Sequence, residues 1–379
     1  MNPIRRIAVW IPNLSRSSGG AEIYLLNLAC ILKEKFKVFL MTACCDQAEE
    51  TVHRTLKLYD MPEFEVLYAD DLTITDRSRF GEQLVQRETI QHQSIEKLLK
   101  EIDADLFING TYGTLAGFEG IHNWHIVHFP QRPIDDALFQ SHLKEYLNSY
   151  DHFLCNSEFT AQWFERFYGR PAEVLYPPVN GVPHEASALC AKENLILTCG
   201  RITPAKKLLE LAHAFGTLYH SGIHDWRFVI AGLSDPSHED YLNQLQDELN
   251  ELPAQVVTDL PREALCDYYR KAKYYWHGMG LGAADDNPLK MEHFGMTTAE
   301  AMTAGCVPIV IDQGGQKEIV TAECGCRFST EEELVQYTAA LIHDPDRTRM
   351  LARNAIERSK RFSLDQFRKE LERYLSLTG

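Results

Sequence analysis

The stretch Glu292-His293-Phe294-Gly295-Met296-Thr297-Thr298-Ala299-Glu300-Ala301-Met302-Thr303-Ala304-Gly305 sets two glutamates eight positions apart around a glycine that opens a helix. Gly305 closes that helix, and Pro308 stands in the approach to the next strand. A helix N-terminus carries unpaired N–H groups and a positive dipole end, which suits a phosphate. Glu300, expected in the first turn, can accept from a ribose hydroxyl. Glu292, in the loop before the helix, can face the same pocket. His293, Phe294, Gly295, Met296 and Thr297 form the turn between them. Thr297-Thr298-Ala299-Glu300 is also a capping box, which requires no ligand. Spacing alone leaves both readings open.

Working outward, the chain alternates strand and helix. Val307–Ile311 comes after the motif as a strand, and Tyr274–His277 precedes it as another. Leu195–Cys199 is a strand, Lys206–Tyr219 a helix, Trp226–Ile230 a strand ending near Gly232, and Glu239–Asn250 a helix. An earlier set reads the same way: strands at Ile7–Ile11, Val38–Met41, Leu106–Asn109, His125–His128, His152–Cys155 and Glu173–Tyr176, with helices at Ala21–Lys33, Gln83–Lys100 and Ser157–Phe167. Asp46 to Glu101 is the hardest part to read. Such alternation means parallel sheets with helices on both faces, an α/β class. The Pro-rich, aperiodic segment Pro177–Ala191 separates the two sets. With 379 residues the chain suits two domains. They are expected at 1–180, joined by a C-terminal helix over 362–379, and at 181–361. Ligands of open α/β sheets bind outside the carboxyl ends of the strands, so two such domains would place a site in the cleft between them.

The Glu292-to-Glu300 spacing resembles the E-x7-E signature of the group-1 family of retaining glycosyltransferases. Gly305 to Val320, with its Gly314-Gly315 turn, resembles the same family's next strand and Gly-Gly turn. Cys199-Gly200-Arg201-Ile202-Thr203-Pro204-Ala205-Lys206-Lys207 resembles the family's phosphate segment, which assigns Arg201 and Lys206 to a donor diphosphate. Two cations there meet the charge that builds on a leaving phosphate. The family usually has glycine where this chain has Lys207, so either lysine is a candidate. Ser18-Gly19-Gly20-Ala21-Glu22 resembles the family's N-domain glycine loop, where Gly19 and Gly20 let backbone approach a ligand. His128 in Val127-His128-Phe129-Pro130 resembles the histidine that meets the donor sugar in that family; His125 reads as structural. The resemblance implies a GT-B fold: two Rossmann-like domains facing across a cleft, with the C-terminal helix crossing back to the first.

It further implies a metal-independent, retaining transfer of a hexose from a nucleoside-diphosphate sugar, GDP-mannose or a UDP-sugar, to a glycan, lipid-linked or small-molecule acceptor. Catalytic candidates are His128, Glu292, Arg201 and Lys206. Donor-binding candidates are Gly19, Gly20, Arg201, Lys206, Lys207, His293, Phe294, Gly295, Met296, Thr297 and Glu300. No metal and no cofactor is expected. A non-catalytic nucleotide-sugar-binding protein, or a sugar phosphorylase or epimerase on the same fold, is the alternative. The oligomeric state is left open.

Composition narrows the classes. Lys and Arg number 38 against 54 Asp and Glu, a net charge of -16. An acidic chain with no run of five like charges is not expected to bind nucleic acid. No segment nears the roughly 20 apolar residues of a membrane span. Arg5–Pro12 is too short for a signal peptide and reads as a strand. Ten cysteines without a Cys-x-x-Cys pair fit a reducing cytoplasm. A lipid-linked acceptor would bring the protein to the inner membrane surface as a peripheral visitor. Gly278-Met279-Gly280-Leu281-Gly282-Ala283 mimics a dinucleotide motif but lacks a following helix. Asp285-Asp286-Asn287 is not a D-x-D metal motif.

Overall fold

The computed structural model describes residues 4–16, 19–72, 80–182, 192–234 and 236–378. Ser18 and residues 183–191 of the Pro177–Ala191 segment lie outside them. The chain forms two compact units, Met1–Pro178 with Phe367–Gly379, and Val179–Gln366.

The first unit runs β1 (Arg6–Trp10), α1 (Gly20–Lys33), β2 (Lys37–Ala43), α2 (Ala48–Leu58), β3 (Glu65–Ala69), α3 (Phe80–Ile102), β4 (Leu106–Asn109), β5 (His122–Val127), α4 (Ala137–Asn148), β6 (His152–Cys155), α5 (Glu158–Tyr168) and β7 (Glu173–Val174). Its seven strands lie in the order β3-β2-β1-β4-β5-β6-β7, and every pair is parallel. Being covered on both faces, the central strands are continuous apolar runs rather than alternating ones. Ile7, Ala8, Val9 and Trp10 are all fully buried. Ser157 caps α5, accepting from Thr160 N–H. The strand near His128 is longer and earlier than its apolar core suggests, and His128 lies just beyond its end.

The second unit runs β8 (Glu193–Cys199), α6 (Leu208–His220), β9 (Arg227–Gly232), α7 (Glu239–Leu249), β10 (Ala254–Thr258), α8 (Arg262–Lys271), β11 (Ala272–His277), α9 (Met296–Thr303), β12 (Val307–Ile311), α10 (Gln316–Ile319), β13 (Cys326–Phe328), α11 (Glu331–Ile342) and α12 (Pro345–Ser359). Its sheet order is β10-β9-β8-β11-β12-β13, again all parallel. The helix expected from Lys206 starts only at Leu208. A 3-10 turn over Pro204–Lys206 and a left-handed Lys207 precede it.

Both sheets reverse their strand order beside the first strand of the unit: at β1/β4 in one and β8/β11 in the other. Those switch points are where open α/β sheets bind ligands. The loop after β1 ends at Gly19, with Gly20 opening α1; the loop after β8 carries Arg201 and Lys206.

The C-terminal helix α13 (Leu364–Thr378) belongs to the first unit from Phe367 onward. Phe367, Leu371 and Tyr374, spaced for one helical face, are buried there. Phe367 meets Tyr24 edge-on at 5.7 Å, and Tyr374 meets His152 at 5.7 Å. Arg368 Nη2 reaches Glu34 Oε1 at 2.8 Å.

Candidate functional site

Three side chains converge at the second unit's switch point. Lys206 Nζ lies 2.5 Å from Glu292 Oε2, and His277 Nε2 lies 3.0 Å from the same oxygen. Lys206 comes from the turn after β8, His277 from the last position of β11. Burial works to raise the Glu292 carboxyl, but Lys206 and His277 outweigh it and hold it well below the usual range. Burial pushes the His277 imidazole down, against the pull of Glu292. Because a carboxylate oxygen only accepts, Nε2 carries the proton and donates to Glu292. Its Nδ1 is buried and, among the described residues, unpartnered.

The backbone around Glu292 requires the glycine pair downstream. Gly315 N–H donates to Glu292 C=O at 2.8 Å. A Cβ on Gly314 would stand 2.3 Å from that oxygen, and one on Gly315 2.3 Å from His293 C=O. Gly314 also has a φ of 59°, where only glycine sits without strain. Lys207 occupies the same left-handed region at φ 59°, which explains why glycine suits that position. Its Nζ turns to Glu210 Oε1 at 2.7 Å, whereas Lys206 turns to Glu292.

Gly295 is the N-cap of α9, with φ 114°. Thr298 and Ala299 N–H both turn to its carbonyl, so the amides of Met296 and Thr297 have no partner within the helix. A Cβ on Gly295 would lie 2.2 Å from Gln316 Nε2. At its other end the helix closes as expected on Gly305, φ 75°. Gly305 N–H meets Met302 C=O and Cys306 N–H meets Ala301 C=O, each at 3.0 Å, a Schellman motif.

The capping box does not form. Thr297 Oγ1 accepts from Tyr275 Oη at 2.8 Å. Glu300 is the fifth residue of α9, beyond its first turn, because Gly295 starts the helix earlier than the threonine pair suggests. Its carboxylate meets Arg262 Nη1 at 2.8 Å and Tyr269 Oη at 3.1 Å. Burial raises the Glu300 carboxyl, with Arg262 and Tyr269 pulling the other way. Arg262 Nη2 also donates to Asn180 C=O at 3.0 Å.

Arg201 is exposed and, among the described residues, makes no ion pair. Phe294 packs into the unit, its ring 5.3 Å from Phe362. His293 is pushed down to about 4 by burial. Met296 is half-buried. Asp285 and Asp286 are exposed, and no group of three potential metal ligands occurs among the described residues. The Gly278–Ala283 stretch forms turns with no α-helix behind it before α9.

In the first unit, Gly19 caps α1 in an extended conformation and Gly20 opens it. His128 is buried, its ring 5.8 Å from Tyr24 and 5.1 Å from Tyr112. Asn156 Nδ2 donates to its carbonyl at 2.9 Å. His125 is held by Tyr146 Oη at 2.7 Å and Thr111 C=O at 3.0 Å, and burial takes it down to about 4. It is a structural histidine.

Sequence reasoning did not find His277, Arg262, Tyr269 or Tyr275. One signal existed: a histidine closing an apolar strand just before Gly278. The others are brought in by tertiary contact alone.

A family model described as "Glycosyl transferases group 1" matches residues 184–358, and one described as "Glycosyltransferase Family 4" matches residues 18–181. The chain belongs to the group 1 glycosyl transferases. It is similar to the GDP-Man:Man(3)GlcNAc(2)-PP-Dol alpha-1,2-mannosyltransferase of Dictyostelium discoideum, 21% identical over 226 residues, covering 56% of this chain and 43% of that protein. The protein of the same description from Neurospora crassa is 24% identical over 256 residues, covering 58% and 44%. The chain thus spans less than half the length of either relative. Anabaena HepE, solved in complex with UDP, superposes with a TM-score of 0.74 at 17% identity, covering 98% of this chain and 100% of that one. The fold is GT-B. Among the described residues no helix is long and apolar enough to cross a membrane.

Proposed function

We propose that this chain is a retaining, metal-independent hexosyltransferase that takes its sugar from a nucleoside diphosphate and passes it to a glycan, lipid-linked or small-molecule hydroxyl. The observation that carries this is the Lys206–Glu292–His277 cluster beside a glycine-opened helix, with Arg201 exposed in the same loop as Lys206. An ammonium has three donors. Glu292 engages one and orients the group, which leaves two for phosphate oxygens. Arg201 and the amides of Met296 and Thr297 add further positive ends for the diphosphate.

Glu300 keeps a lone pair on each carboxylate oxygen after accepting from Arg262 and Tyr269, and these are assigned to the ribose hydroxyls. In the first unit, His128 is assigned to the donor sugar, and the Gly19-Gly20 loop to close backbone approach. In the reaction the bond from the anomeric carbon to the phosphate oxygen breaks. The acceptor oxygen bonds to that carbon on the same face, and its proton passes to the departing phosphate. No side chain is nominated as a nucleophile. GDP-mannose is the first donor to test, since the relatives aligned in sequence are named for it; UDP-sugars are the second.

The test is a thermal-shift panel of GDP, UDP, ADP and their sugars, followed by assay of nucleotide release with acceptor mixtures. A ligand at 100 times its dissociation constant should stabilise by about 2.7 kcal/mol. One base should stand out. If none of the nucleotides stabilises the chain, the proposal fails.

A further inference from the structure

We infer that Tyr112 is the platform on which a pyranose ring of the acceptor lies; this rests on the transferase reading above. Tyr112 follows β4 and His128 follows β5, neighbouring parallel strands, and β4 borders the first unit's switch point. The Tyr112 ring stands 5.1 Å from the His128 ring, tilted by 34°. His128 is buried while Tyr112 is 47% exposed.

The loop that presents Tyr112 is unusually well held. Gly110 N–H donates to Trp10 C=O at 2.9 Å. Thr111 N–H donates to Asn109 Oδ1 at 2.9 Å, and Asn109 Nδ2 to Tyr150 Oη at 2.8 Å. Thr114 is clamped by the buried Glu88, through N–H at 2.6 Å and Oγ1 at 2.9 Å. His142 Nε2 meets Oε2 of that carboxylate, the oxygen that also accepts from Thr114 Oγ1, at 2.6 Å. Side chains are excluded on both flanks: a Cβ on Gly110 would meet Leu25 at 2.2 Å, and one on Gly113 would meet Glu88 at 2.0 Å.

A well-held loop that leaves Tyr112 47% exposed forgoes part of the burial that normally stabilises tyrosine. An aromatic face suits the apolar C–H face of a pyranose, and its few torsions make binding cheap in entropy. Its ring neighbour His128, 5.1 Å away, is the side chain proposed above for the donor sugar.

The test uses the full chain and saturation-transfer NMR with methyl α-mannopyranoside, methyl β-glucopyranoside and the methyl β-glycoside of N-acetylglucosamine, each with and without saturating GDP or UDP. At least one glycoside should receive saturation, concentrated on the C–H protons of one face. Tyr112→Ala should abolish that signal and Tyr112→Phe should retain it, because the ring rather than the hydroxyl is the contact. Nucleotide-induced stabilisation should be the same in all three proteins. A signal that survives in Tyr112→Ala overturns the inference. So does a wild-type chain that binds nucleotide yet shows no signal with any glycoside. Absence of both nucleotide and glycoside binding brings down the transferase reading and this inference together.

Discussion

Glu292 and Glu300 share a motif and sit in opposite electrostatic settings. Glu292 is held well below the ordinary carboxylate range because Lys206 and His277 overcome its burial; Glu300 is raised because burial prevails over Arg262 and Tyr269. For Glu292 the folded value lies below the unfolded one, about 4.3. Its contribution to stability is therefore present above that pH and lost as pH falls through the folded value. Lys206→Met removes the main source of the depression. Breaking a buried pair costs about 3–5 kcal/mol; with the side chains 20% and 19% exposed, the low end is expected. Thermal melts from pH 3 to 7 should show the variant weakest above about pH 4.3 and converging on wild type below it. A deficit independent of pH would refute the assignment. Glu300→Gln should weaken nucleoside-diphosphate binding at least about tenfold, since a hydrogen bond to a charged group contributes about 1.5–3 kcal/mol. Calorimetry with a 2′,3′-dideoxy nucleotide provides the control, for there the substitution should make no difference. If Glu300→Gln and Arg262→Met merely lower the melting temperature alike, Glu300 is only the counterion of Arg262.

The element on which the site turns is α9, and its first residue depends on Gly295. A side chain there meets two obstacles: a left-handed φ of 114° and the Gln316 amide at 2.2 Å. The backbone alone costs about 1–2 kcal/mol for an L-residue. Gly295→Ala should therefore destabilise the chain by more than that, and Gln316→Ala should relieve the excess. Urea unfolding of the double variant should reveal a coupling of about 0.5–3 kcal/mol; strict additivity would mean the two residues do not contend for space. The glycine and the helix were readable from sequence because turn chemistry is local. So was the N-cap Ser157, and so were the continuous apolar runs of β1, β4 and β12. Where elements are half-buried the reading failed. β3 and β10, the outermost strands on one side of their sheets, are mostly only partly buried, and their apolar stretches are short, Val66–Ala69 in one and Val256 with Val257 in the other. The amphipathic α2 between polar segments was likewise missed. Arg262 and Tyr269 could not be read as partners of Glu300, because only tertiary packing brings α8 against α9.

At the scale of the whole molecule, a chain with net charge -16 is asked to hold a donor that carries two or more negative charges. Distant surface charge is screened beyond about 8 Å at physiological salt, so the local inventory decides. On the reading proposed above, that inventory is Arg201, exposed and without an ion pair among the described residues, Lys206 oriented by Glu292, and the N-terminus of α9. Two cations and a dipole end worth about half a charge approach the charge of a departing nucleoside diphosphate. Lys206 is already partly neutralised by Glu292, so Arg201 carries the larger share of the uncompensated charge. Removing one such preorganised group typically costs about 100- to 1000-fold in turnover. Arg201→Ala should fall in that range, with a melting temperature close to wild type because the side chain is exposed. If the charge is balanced in this way, excess chelator should leave turnover unchanged in the wild type. Activity lost in chelator and restored by manganese or magnesium would sink the metal-independent mechanism. It would direct attention to Asp285 and Asp286, whose substitution by alanine should then abolish the metal response.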